Sequence, residues 1–413
     1  MEKENINIST QSSNKSKEIE NIEKNNLENG NIDSIKIINS KIEKKRKYGI
    51  DLLRIIAMFM VITVHIGSFS NFIKNNELLL KYKRYFLYFI WLWGLKCNTI
   101  FGLIAGYVGL NSRNKLSSIL YLIFTTNIYS IIIEFITIKK NKIKYKFYQY
   151  IFIFFPFSRS IFWFYTCYVG LCYIKPYINL VINNISKGES SRICLLNFIL
   201  FSCIITVFNT RAFAAFHSNS LFILSVNYYY GAHIKKNGIF LEKYSKLTLM
   251  LISLFCHLLN VFLIYLNDLN TIKAKNKYYI YLDFGLETNP LLLIRCFCHL
   301  VFFKDLNLFK CLEKIISIIS PSVFFVYILG FNSYTSSFYR VYSLHTFDYF
   351  QTIWFLLYKN IYMASICLII DYIRRLIFNL IKMDILIDKI AKKIEDLSKK
   401  IFKENDKNKY INI

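Results

Sequence analysis

Glycine and proline are scarce, at 13 and 4 among 413 residues. That excludes collagen-like repeats and proline- or glycine-rich disorder. Charged side chains are also few, at 19%, where an average globular chain has about 25%. Acidic residues are the scarcer sign: 26 Asp and Glu stand against 52 Lys and Arg, a net charge of +26. The remainder is apolar and aromatic, with 54% hydrophobic residues, 38 Phe and 31 Tyr. Length alone would suggest two or three soluble domains, but the apolar runs described below argue for one membrane bundle.

The ten cysteines lie mostly inside apolar runs, where they behave as small hydrophobes. Cys296-Phe-Cys298 is too short for a paired Cys-x-x-Cys motif, and no second cluster answers it. Neither a disulfide framework nor a metal site is expected. The positive charge is dispersed: residues 1–48 carry +2, residues 376–413 carry +3, and the other +21 is scattered through 49–375. No basic stripe emerges, so the chain has no nucleic-acid footprint. Dispersed cations in short loops suit contact with anionic lipid or an acidic ligand.

Residues 1–48 are rich in Asn, Lys, Glu and Ser, and are expected to form a disordered cytoplasmic tail. No apolar run follows Met1, so the start does not read as a signal peptide. A spanning helix needs about 20 mainly apolar residues. Candidate segments lie near 50–70, 85–110, 117–138, 160–183, 193–209, 219–235, 245–266, 288–303, 315–331 and 352–377. The expected fold is therefore an all-α polytopic transmembrane bundle of about ten helices over 49–380. An even count puts both termini on one side. The basic cluster Lys41, Lys44, Lys45, Arg46 and Lys47 assigns that side to the cytoplasm. Lys139, Lys140, Lys142, Lys144 and Lys146 would then lie outside, against the same rule. Within 381–413, Met383, Leu386, Ile390, Ile394, Leu397 and Ile401 recur every three or four residues among lysines. That is a basic amphipathic helix, expected first on the inner leaflet and second as a coiled-coil partner helix.

The first apolar run contains Asp51, Arg54 and His65. Ionisable groups inside a bilayer usually mark function. Arg54 and His65 are eleven residues apart, within about 20° of one helix face and about 16 Å along the axis. Asp51, one turn before Arg54, can hold its guanidinium. A cation near the surface with an imidazole deeper suits a long, phosphate-headed cosubstrate. Arg295 and His299, one turn apart, can share an anion or be a snorkelling arginine and a hydrogen-bonded histidine. The aromatic crowd at 162–173, with Trp163, Tyr165 and Tyr168, reads first as an interfacial belt and second as a sugar-stacking platform. His257 reads as a buried core histidine, and His217, His233 and His345 as solvent-facing. Asp371 and Arg374 read as an i,i+3 pair closing the last span.

The stretch from Gly49 to Ile66, GIDLLRIIAMFMVITVHI, resembles the opening signature of the integral-membrane acyltransferase-3 family: a basic residue, ten residues, then histidine. Ile100 to Gly109, Phe154 to Pro176, Tyr230 to Lys235, Ser320 to Tyr327 and Ile369 to Arg374 resemble further family stretches in the same order. The resemblance covers about 49–380. It implies transfer of an acyl group, usually acetyl, from acyl-CoA to a hydroxyl of a carbohydrate or surface glycan in the bacterial inner membrane. No cofactor beyond the acyl-CoA cosubstrate is implied. On this resemblance His65 matches the essential histidine, a general base, and Arg54 the essential basic residue, which would bind CoA phosphates. Arg113 and Lys115 stand where the family carries an arginine pair and would join that contact. Four places depart from the pattern: Ala105 replaces a serine, Gly330 stands where a second histidine is common, the arginine pair is reduced to Arg113 and Lys115, and Glu287-Thr-Asn-Pro290 stands for a Tyr-Thr-Ser-Pro stretch. A transporter or flippase for a polar or anionic solute, and a catalytically weakened relative, stay open as alternatives.

Overall fold

The computed structural model describes residues 46–70, 81–112, 115–141, 153–154, 162–208, 220–273, 288–330, 344 and 346–401. The expected N-terminal tail, but for Arg46, Lys47 and Tyr48, and residues 402–413 lie outside them, as do Arg113, Pro156, His217 and His345. Among the described residues every regular element is helical. The helices are α1 (Tyr48–Phe69), α2 (Tyr82–Leu95), α3 (Cys97–Gly109), α4 (Leu116–Asn141), α5 (Trp163–Asn184) and α6 (Lys187–Phe208, with a π-helical stretch at Ile199–Ile204). They continue as α7 (Leu221–Asn237), α8 (Lys246–Lys273), α9 (Pro290–Lys304), α10 (Lys310–Ile319), α11 (Val323–Gly330), α12 (Tyr349–Leu380) and α13 (Met383–Ile401).

Every one of the ten expected segments is helical, but two are divided. The run at 85–110 breaks at Lys96, where ψ is −3° instead of the helical value near −42°. The run at 315–331 passes through a 3₁₀ turn at Ser320–Ser322, where Pro321 has no backbone N–H to give. Among the described residues, seven helices are long and apolar enough to cross a membrane: α1, α2 with α3, α4, α6, α8, α10 with α11, and α12. The protein is thus an all-α membrane bundle. Of the remaining expected segments, α7 and α9 are only 17 and 15 residues long.

Helix α1 is the hub. It packs against α2, α3, α9, α10, α11 and α12, which explains why its sequence is apolar nearly all round. The most extensive interface is α3 against α7. Gly106 and Gly231 make it: a Cβ on Gly106 would fall on the Tyr228 carbonyl, and one on Gly231 on the Leu103 carbonyl. Small residues let membrane helices approach this closely. Helix α8 covers α9 and α2, and α5 flanks α7.

Helix α13 docks on α4 and α12 through Met383, Ile387 and Ala391. Most of the apolar stripe read from the sequence (Leu386, Ile390, Ile394, Leu397 and Ile401) stays exposed. In α12, Asp371 and Arg374 pair at 2.9 Å, and Tyr129 donates to the same carboxylate at 2.8 Å. His233 is not solvent-facing as its position at a segment end suggested: α6 covers it, and its Nδ1 lies 2.7 Å from Ser190 Oγ.

Candidate functional site

Arg54 faces two adjoining chambers. The inner one, about 220 Å³, is lined on the α1 side by Arg54, Met58 and Val61, and elsewhere mainly by Phe101, Ile104, Phe164, Phe324 and Tyr327. The outer one, about 270 Å³, has Ser112, Lys115, Ser118, Lys175 and Tyr228 in its wall. Arg54, Ala105 and Tyr168 belong to both. One compartment is therefore apolar and aromatic, the other cationic and hydroxyl-rich, and Arg54 stands at their junction. No carboxylate lines either among the described residues.

The guanidinium is held from behind. Asp51 Oδ1 accepts from Arg54 Nη1 at 2.6 Å, and Ser320 Oγ donates to the same oxygen at 3.0 Å. Asp51 is buried, whereas the Arg54 side chain keeps 31% of its surface. A buried carboxylate with two donors fixes the arginine while its free edge faces the chambers. Ser320 belongs to the Ser-Pro turn between α10 and α11, so the same break that divides the span supplies the second donor. In the outer chamber Lys175 Nζ donates to Ser112 Oγ at 2.5 Å, and Tyr228 Oη donates to Asn179 Oδ1 at 2.8 Å.

His65 continues the stripe Arg54, Met58, Val61 by one further turn. It is half-buried, and its ring stacks on Phe69 at 6.2 Å. It is not among the residues lining either chamber, which extend along α1 as far as Val61. The two groups thus share a face, as their spacing requires, but the chambers at Arg54 stop a turn short of the imidazole.

The aromatic platform divides. Tyr168 lines both chambers. Tyr165 is fully buried in apolar packing with Ile62, Ile66 and Val326 around it, so it offers no face to a sugar. Trp163 is half-buried, edge-on to Phe164 at 5.6 Å. Lys115 is in the outer wall, and Arg113 lies outside the described residues.

Arg295 and His299 do not join Arg54. They line a third cavity, about 370 Å³, against the opposite face of α1, where Ile56 and Met60 form its wall. Lys96, His257, Trp93, Phe89, Ser253 and Met250 also line it. His299 Nδ1 lies 2.5 Å from the Arg295 carbonyl oxygen, so Nδ1 carries the proton. Nε2 is then an acceptor, with Lys96 Nζ at 3.1 Å. Arg295 and Lys96 are each 1% exposed. Arg295 Nη1 reaches the Leu92 carbonyl only at 3.5 Å, and its Nε has no partner among the described residues. His257 packs its ring 4.3 Å from Phe89.

Sequence reasoning passed over Lys96 and Lys175. Lys96 was legible as an ionisable residue in mid-span, and Lys175 as a cation beside Pro176 in an aromatic run. Among the described residues no group of His, Cys, Asp and Glu forms a metal site. Compared with protein-family models, with curated proteins and with solved structures, the chain matches none.

Proposed function

We propose that this membrane protein is an acyltransferase that moves an acyl group, acetyl in the simplest case, from acyl-CoA to a hydroxyl of a carbohydrate or surface glycan. The observation that carries the reading is the pair of chambers at Arg54: a cationic compartment with Lys115 and Lys175 beside an apolar one, with Arg54, Ala105 and Tyr168 in the walls of both. A nucleotide thioester has the matching division, with phosphates at one end and an apolar arm at the other. Arg54 binds phosphate as guanidinium does well, through paired N–H donors, and Asp51 holds it in register. The sequence resemblance of α1 and the Ser-Pro turn supports the same assignment.

In this reading the arm runs along Met58 and Val61 to the end of the chamber, and His65, one turn on, meets the thioester carbonyl when the packing at that end opens. The acceptor oxygen forms a bond to the acyl carbon while His65 takes the hydroxyl proton. The carbon–sulfur bond then breaks, and the proton passes from His65 to the leaving thiolate. Tyr168 is the aromatic residue best sited to contact the acceptor. The protein would sit in the inner membrane of a bacterial cell with both termini in the cytoplasm, where acyl-CoA is made.

The test is transfer of labelled acetyl from acetyl-CoA in membranes containing the full chain, scored on isolated surface glycan. His65→Ala is expected to lower transfer by about 10²–10⁴-fold with the protein still present in the membrane. Undiminished transfer in that variant removes His65 from the chemistry. Solute uptake by wild type without any label reaching glycan replaces the reading with transport.

A further inference from the structure

The third cavity has a composition that the acyl-transfer reading does not use. Its wall holds two buried cations, Lys96 and Arg295, and two histidines, His257 and His299, with no carboxylate among the described residues. Neither cation has a salt-bridge partner in the described structure: Lys96 bonds a neutral imidazole, and Arg295 a carbonyl at the limit of reach. Arg295 Nε is buried with no acceptor among the described residues. A buried charge is normally paired, because leaving one without a counter-charge is strongly unfavourable. Two such charges against one void create a demand for an anion.

The rest of the wall says what kind. Met60, Leu249, Met250, Leu254, Phe302 and Phe303 are apolar. Met250 and Leu254 are also among the exposed residues of α8, a helix apolar enough to cross a membrane. The void is therefore walled on one side by a helix that faces lipid. It runs from Leu249 to His257, about 12 Å along the helix axis. We propose that this cavity binds the phosphate of an anionic amphiphile, a phosphate-headed lipid, with Lys96 and Arg295 on the phosphate and the chain along α8. His299 positions Lys96: its protonated Nδ1 is tied to the Arg295 backbone, which orients Nε2 as the ammonium's acceptor. The site is independent of acyl transfer, and its ligand is recognised by charge and apolarity alone.

The test uses the purified full chain in nanodiscs of phosphatidylcholine with a minor share of phosphatidylglycerol. Retained lipid is identified by mass spectrometry after detergent exchange. Wild type is expected to retain phosphatidylglycerol with a preference of about tenfold or more, equivalent to about 1.4 kcal/mol, and to unfold at a higher temperature when it is present. Lys96→Met combined with Arg295→Met is expected to lose both effects. Apolar residues of similar volume tolerate such positions, so this variant is expected to unfold, in lipid-free detergent, no lower than wild type. Lys246→Gln, which removes an exposed lysine at the start of α8 bonded to the Asp305 carbonyl, is the control for general surface attraction and is expected to keep the preference. Inorganic phosphate is tested separately. If it stabilises wild type but not the double variant, and lipid does not, the site takes a soluble phosphate and the lipid assignment is overturned. Equal lipid retention by wild type and the double variant, or an equal loss in Lys246→Gln, overturns the site.

Discussion

The two faces of α1 solve the problem of a cation in a membrane in opposite ways. On one face Arg54 carries its own counter-charge, Asp51, buried behind it at 2.6 Å and braced by Ser320. Its charge is balanced before any ligand arrives, so the chambers beside it can fill and empty without leaving an unpaired ion. On the other face Lys96 and Arg295 stand over a cavity with no carboxylate in the described structure. On the proposal above, the balancing charge there comes from the bound phosphate. A paired cation suits turnover, because the ligand adds and leaves at little electrostatic penalty. An unpaired couple suits a ligand that stays.

Variants separate the two faces, and after His65→Ala the largest effect is expected at Arg54. Arg54→Gln removes hydrogen bonds to a charged group, worth about 1.5–3 kcal/mol. The apparent KM for acyl-CoA should rise about 10- to 100-fold, while phosphatidylglycerol retention stays at the wild-type level. A loss of lipid retention in Arg54→Gln, measured in the same nanodiscs, would break the comparison, since one face would then be serving both ligands.

Next comes Gly106→Leu at the α3–α7 crossing. The added side chain meets the Tyr228 backbone, and overpacking of this kind destabilises by about 1–3 kcal/mol. Because Ala105 and Tyr228 wall the chambers near Arg54, acyl-CoA binding should weaken along with the unfolding temperature. The α8–α9 cavity, which meets α3 only at its capping residue Lys96 and does not touch α7, should still select its lipid in the folded fraction. Equal damage to both functions would mean that the two faces are not mechanically separate.

Two smaller effects sharpen the picture. Asp51→Asn leaves Arg54 charged but removes its partner; a partly exposed pair is worth about 0.2–1 kcal/mol, so KM should rise by at most about fivefold. Steady-state kinetics should show this in KM, with kcat little altered, because Asp51 positions Arg54 and touches no reacting atom. Lys175→Gln should act in the same direction and by a similar amount, and its effect should shrink in high salt, as expected for a half-buried cation that solvent still reaches.

Periodicity and apolar content were enough to find each described helix that is long and apolar enough to cross a membrane, because a membrane leaves the backbone no alternative to internal hydrogen bonding. They were less able to say where a helix bends. Lys96 interrupts one apolar run and Pro321 another, and both runs read as continuous because an average over about 20 residues hides a single turn. The link between Asp51 and Arg54 was also legible, since three residues along a helix is one turn. The third partner, Ser320, lies 269 residues away and no local pattern announces it.

The chain's own order of residues settled what is helical, what is apolar, and which side chains share one face of α1, since these depend on spacing along a single helix. Whether residues sharing a face share a cavity depends on what packs against that face. Arg54, Met58 and Val61 line a void, and His65, one turn on, does not line it. Arg295, read alongside Arg54 as one more intramembrane cation, turned out to lie across α1 from it, beside Lys96. Packing of distant segments decided those pairings, because a void exists only where several helices together fail to fill space.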